Sequence, residues 1–105
     1  MEITNQDWKL FRKLLPSWQE AYMERLLREY AELIAGEGNA SDKFWELEKR
    51  IRTDKRSPGV LVELRRSDML NALIGLLKDG AITLDDLEDF SHDLQDALGF
   101  LMGQK

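Results

Sequence analysis

The chain has no cysteine, one histidine and two prolines, and each scarcity removes a class of protein. Without cysteine there is no disulfide scaffold, no thiolate zinc site and no cysteine nucleophile. A single histidine, His92, leaves little for a multi-histidine metal site or a proton relay. Few prolines, with 43% apolar and 33% charged residues, fit neither a disordered chain nor a membrane protein. No apolar run approaches the ~20 residues needed to span a bilayer. The opening Met1-Glu2-Ile3-Thr4-Asn5-Gln6-Asp7 is acidic and polar, unlike a signal peptide. Nucleophile elbow, Walker loop, dinucleotide glycine pattern and HExxH are all missing. The expectation is a cytoplasmic, non-enzymatic protein with no cofactor and no metal, folded as one domain over residues 1–105.

What is present is helical spacing. Thr4 with Asp7 three residues on reads as a capping arrangement, leading into Trp8, Phe11, Leu14 and Leu15. Pro16 either kinks this helix or opens a second one. Trp18, Tyr22, Leu26, Tyr30, Leu33 and Ile34 continue a helical stripe, which Gly36-Glu37-Gly38-Asn39 ends. Asn39 or Ser41 can cap the next helix, with Phe44, Leu47 and Ile51 on one side and Glu46–Arg50 and Glu48–Arg52 as favourable i,i+4 pairs. That helix should stop near Arg56, before Ser57-Pro58-Gly59. Residues 60–66 suit either a short strand or a helix; with no second strand to pair with, helix is favoured. Residues 68–78 are apolar around much of a helix and belong at the centre of the core. After Asp79-Gly80, Thr83 and Asp86 open a last helix carrying Leu87, Phe90, Leu94, Leu98 and Leu101. The fold class is all-α, a compact bundle-like array of four to six helices around a single core.

Charge is arranged in blocks. The chain's net charge is −5, yet residues 43–66 carry Lys43, Lys49, Arg50, Arg52, Lys55, Arg56, Arg65 and Arg66 against four acids, a net of +4. Residues 79–96 carry seven acids and no Lys or Arg. Asp85, Asp89, Asp93 and Asp96 fall on one face of a continuous last helix, roughly 5–6 Å apart, close to the spacing of phosphates along a strand. Such a ridge can enter a basic groove built for nucleic acid; the alternative is a solvated face, with Asp85 and Asp86 favouring a helix N-terminus. Lys49, Arg52 and Arg56 share a face that can meet a phosphate backbone, with Trp45 available for stacking, although a pI near 4.9 runs against a nucleic-acid-binding domain. Trp8 and Trp18 lie on apolar stripes and read as core, whereas Trp45 reads as an exposed anchor. A calcium loop around Gly80 fails because its first and third ligand positions fall on Gly75 and Leu77. His92, between Asp89 and Asp96, reads as a solvated residue.

Three stretches, Asp7-Trp8-Lys9-Leu10-Phe11-Arg12, Ser41-Asp42-Lys43-Phe44-Trp45-Glu46-Leu47-Glu48-Lys49-Arg50-Ile51 and Ile82-Thr83-Leu84-Asp85-Asp86-Leu87-Glu88-Asp89-Phe90-Ser91, resemble a family of small helical proteins from Firmicute genomes, found in phage and mobile-element neighbourhoods. The resemblance covers nearly the whole chain and brings no functional motif, so no site residue is carried over. It implies, by analogy with small acidic anti-CRISPR proteins, a host-interacting accessory protein that binds a nuclease rather than performing chemistry. The expected function is therefore a protein-binding module that inhibits a host nucleic-acid-processing enzyme through Asp85, Asp89, Asp93 and Asp96, with Trp45, Lys49, Arg52 and Arg56 as secondary candidates. The alternative is a small nucleic-acid-binding regulator using residues 43–66.

Overall fold

A computed structural model describes residues 2–103. Four α-helices run in the order α1 (Asn5–Ala35), α2 (Ala40–Asp54), α3 (Met69–Lys78) and α4 (His92–Leu101), with 3₁₀ turns at Arg66–Asp68 and Leu84–Leu87. The all-α expectation therefore stands, and no strand occurs among the described residues.

α1 is the spine. Its start follows the expected cap: Thr4 Oγ1 accepts from the Asp7 N–H at 3.0 Å. Pro16 neither ends the helix nor opens another; it sits inside α1 with its ring exposed. A run of 31 residues spans about 46 Å, so α1 accounts for most of the molecule's 51 Å length. The N-terminal half buries Phe11 and Leu15 against α3, Ile82, Leu87, Phe90 and α4, where Met69, Leu73, Leu76, Leu94 and Leu98 close the main core. Trp8 and Trp18 are half-buried against it, Trp18 stacking on Phe90 with centroids 6.3 Å apart. The C-terminal half projects outward, and α2 folds back along it. Tyr22, Leu26 and Tyr30 form a second, smaller cluster there, covered partly by Leu47 and Val60.

Several local expectations need correction. Residues 60–66 form neither an α-helix nor a strand: from Leu61 to Arg65 the chain has no regular secondary structure, with a tight turn in which the Arg65 N–H donates to the Glu63 carbonyl at 3.0 Å, and Arg66 opens a 3₁₀ turn. The segment carries the chain from the end of α2 to the start of α3. α2 stops at Asp54, so Arg56 lies beyond it in a turn. Asn39 occupies the N-cap position of α2 but contributes no side-chain bond. The last helix is broken in two, because Ser91 starts α4 with a cap of its own, its Oγ accepting from the Leu94 N–H at 3.3 Å. The Ser91 N–H meanwhile donates to Asp7 Oδ1 at 2.9 Å, so it is taken out of the helical ladder by a residue at the opposite end of the chain.

Ser57-Pro58-Gly59 fastens the two parts of the molecule together. Ser57 is buried and its hydroxyl donates to Asp79 Oδ2 at 2.6 Å while accepting from the Gly59 N–H. Gln19 Nε2 donates to the Pro58 carbonyl at 3.0 Å. Arg25 reaches across to the carbonyls of Asp79 and Gly80 at the end of α3, where Gly80 adopts the left-handed conformation (φ 72°) that turns the chain.

Candidate protein-interaction surface

The α1–α2 hairpin has two unlike sides. On one, Arg50 donates to Glu29 at 2.8 Å and lies 3.8 Å from Asp54, whose Oδ2 accepts from the Tyr30 hydroxyl at 2.5 Å. The Arg50 guanidinium also rests over the Tyr30 ring, 5.5 Å from its centroid. Burial, followed by the Asp54 hydrogen bond and charge, pushes the Tyr30 phenol up to about 12. Arg50 thus pairs across the helices and not with Glu46, contrary to the expected i,i+4 arrangement; Glu48–Arg52 does form, at 2.6 Å.

The other side is apolar and open. Phe44, Leu47 and Ile51 share one side of α2 as their spacing predicts, yet that side is not core: no residue of α2 is buried, and Phe44 is 64% exposed. On α1, Leu27 is also 64% exposed and Ile34 54%, at positions displaced by one residue from the inward stripe of Leu26, Tyr30 and Leu33. Leu26, Leu27, Tyr30, Ile51 and Val60 line a groove of about 270 Å³ between the helices, to which Asp54 and Lys55 contribute the charged lining. A second groove runs along α2 past Phe44, Leu47 and Ile51, with Lys55 again at its rim. Trp45 is 65% exposed, its ring edge-on to Phe44 at 5.1 Å. Scattered single apolar side chains on a surface are ordinary, but a contiguous patch marks an interaction site.

The acidic candidates are placed differently from the expectation. Asp85 lies in a 3₁₀ turn, Asp89 in the break that follows, and Asp93 and Asp96 on α4. All four are exposed, but they do not share one continuous helical face, so the regular 5–6 Å ladder does not exist. His92, exposed at the first position of α4, shares that helix with Asp96 but not with Asp89.

The basic segment is largely engaged. Lys43 donates to the Ile34 carbonyl, Arg52 to Glu48, Arg65 to Glu63, and Arg66 to Asn5 and the Ile3 carbonyl. Lys49, Lys55 and Arg56 make no such bond among the described residues. Lys49 and Arg52 remain on α2, while Arg56 has left it, so the three do not form one helical face. No ion pair joins residues 43–66 to residues 79–96 within the described residues. Nor do they contain a cluster of three potential metal ligands, or a helix long and apolar enough to cross a membrane.

Sequence reasoning missed two features. The exposure of Leu27 and Ile34 follows from the one-residue offset between two stripes on α1, a signal visible in the spacing. The pairing of Asp7 with Ser91, both oxygens of a buried carboxylate taking a backbone and a hydroxyl proton, left no local signal. Comparison of the chain with family models, with curated proteins and with solved structures finds no match.

Proposed function

We propose that this protein is a non-enzymatic protein-binding module whose docking surface is the open apolar side of the α1–α2 hairpin. The observation that carries the reading is the exposed apolar surface of Leu27, Ile51 and Phe44, joined through two grooves that share Ile51, with Ile34 also exposed on α1. A 15-residue helix with no buried residue is marginal by itself in water, and helices of this kind gain stability by laying an apolar side against another helix. The chemistry that fits is therefore the apolar stripe of one or more partner helices.

The test is affinity capture with three forms of the protein: the native chain, Leu27→Asp with Phe44→Asp, and Asp89→Lys with Asp93→Lys and Asp96→Lys. A protein retained by the native and lysine forms but lost from the hairpin variant supports the reading. Capture unchanged by the hairpin substitutions refutes it. A second reading, inhibition of a nucleic-acid-processing host enzyme, is supported by the seven exposed acids of residues 79–96; it predicts the opposite pattern, with the lysine form losing its partner.

A further inference from the structure

The open side of the hairpin carries a charge pattern along both edges that narrows what can cover it. The Arg50–Glu29 bridge and the bond of Lys43 to the Ile34 carbonyl set the register of the two helices, which puts Ile51 within about 2 Å of the height of Leu27. Counting from Leu27 along α1 at about 1.5 Å per residue, Arg28 lies about 1.5 Å above that height, Glu24 about 4.5 Å below it and Glu20 about 10 Å below it. α2 runs the other way, as the bonds of Lys43 to Ile34 and of Asp54 to Tyr30 require. From Ile51, Glu48 therefore lies about 4.5 Å above, Arg52 about 1.5 Å below and Lys55 about 6 Å below. Read downward, the α1 edge is positive, negative, negative; the α2 edge is negative, positive, positive. The two edges of one hairpin are complementary to each other at matching heights.

Edges of one rigid hairpin cannot meet, but those of two copies can. A two-fold axis parallel to the helices keeps every height unchanged and sets α1 of one copy against α2 of the other. Glu20 then faces the partner's Lys55, the intrahelical pair Arg28–Glu24 on α1 (3.1 Å) lies beside the partner's Glu48–Arg52 pair with opposite charges level, and the Leu27–Ile51 grooves meet at the centre. A two-fold axis perpendicular to the helices would stack α1 on α1 with heights inverted and would lose this match. We propose that the apolar side is covered by the same side of a second copy, giving an antiparallel four-helix bundle in which each α1 lies beside the partner's α2. The inference rests on the docking surface proposed above and names its occupant.

The size of the surface sets the strength. A 15-residue helix is about 22 Å long, and two packed helices present a side about 20 Å wide, so the two copies together cover roughly 900 Å². Stable interfaces bury about 1,200–2,000 Å², which puts this dimer at the weak end, with a dissociation constant in the micromolar range. The single chain leaves 7436 Å² accessible, against roughly 6,000 Å² for a compact protein of this mass, consistent with a shape that presents a whole side to a partner.

Sedimentation equilibrium from about 1 μM to 1 mM tests this. The expected result is a reversible monomer–dimer equilibrium, abolished by Leu27→Asp with circular dichroism unchanged. Lys55→Glu is expected to weaken the dimer roughly tenfold, since each of two symmetric sites turns from attraction to repulsion. Combining it with Glu20→Lys should recover most of that loss, which only a contact between these two edges can do. A monomer at every concentration overturns the second-copy inference. The capture experiment then decides separately whether the side docks some other helix. A dimer indifferent to Leu27→Asp and Lys55→Glu uses another surface and overturns the proposal equally.

Discussion

The buried carboxylate of Asp7 ties both ends of the chain together, and removing it should be among the most costly single changes at a polar position. Its two oxygens accept from the Ser91 N–H at 2.9 Å and from the Ser91 hydroxyl at 2.6 Å, and the residue is 3% exposed. Ser91 in turn caps α4 through Leu94. Asp7→Ala deletes two charge-assisted bonds, each worth about 1.5–3 kcal/mol, and leaves the Ser91 N–H without its partner. Because some of that is offset by water reaching the half-buried Ser91, a loss of roughly 3 kcal/mol is expected. In thermal unfolding this amounts to a fall of about 12 °C or more, at roughly 4 °C per kcal/mol for a chain of this size. Asp7→Asn distinguishes geometry from charge. Its amide oxygen can still accept from the Ser91 N–H while its NH₂ donates to the Ser91 hydroxyl, so only about 1 kcal/mol should be lost. Ser91→Ala removes the cap and one of the bonds, costing about 2 kcal/mol. In a double-mutant cycle by urea unfolding, the Asp7 and Ser91 substitutions should cost about 1–2 kcal/mol less together than the sum of their separate effects. An Asp7→Ala variant within 1 kcal/mol of the native protein, or equal costs for Asn and Ala, would refute the reasoning.

Other regions give sharper and simpler tests. A Cβ at Gly59 would stand 2.8 Å from Tyr22 Cγ, so Gly59→Ala must displace the ring and should cost about 1–3 kcal/mol in chemical unfolding. Tyr30 binds its proton more tightly folded (about 12) than unfolded (about 10); its contribution is intact below pH 10 and is lost as pH rises towards 12. Stability measured across that window should fall less steeply in Tyr30→Phe. Replacing Leu94 with Asp places an unpaired charge in the main core, where the native side chain is fully buried, and circular dichroism should report an unfolded chain.

The parts of the fold that were legible are those whose signals are local. Thr4 and Asp7 are three residues apart, and the cap they form needs nothing beyond the first turn. α3 is apolar on so many sides that only a central position can satisfy it, and Met69, Leu73 and Leu76 are indeed fully buried. The break before α4 was not legible, because spacings of 3, 4 and 4 from Leu87 to Leu98 suit one continuous helix as well as a turn followed by a helix. What selects the break is Asp7, 84 positions from Ser91. The acidic ladder failed for that reason alone: its residues are exposed as expected, but the backbone beneath them changes direction. Residues 60–66 misled for another reason. Local propensity says what a segment prefers, whereas this one is an irregular connection between α2 and α3 whose Val60 and Val62 pack onto the two apolar clusters.

α2 shows where periodicity stops being informative. Phe44, Leu47 and Ile51 share one side of α2 as their spacing predicts; what that spacing does not contain is whether the surface opposite them belongs to the same chain. An apolar helical side is a statement that something must cover it, since leaving it in water forgoes about 25 cal/mol for each Å². Within this chain α1 supplies only part of the cover, through Tyr22, Leu26 and Tyr30, against which Leu47 packs. Leu27 and Ile34 do not complete it; they extend the uncovered area across a second helix. The docking proposed above would supply the cover that α1 does not. Trp45, exposed and edge-on to Phe44, sits beside that surface, where an aromatic ring can be partly enclosed by whatever docks there. Substituting Trp45 should accordingly perturb association less than Phe44, and a result with the order reversed would move the centre of the interface to the outer side of α2.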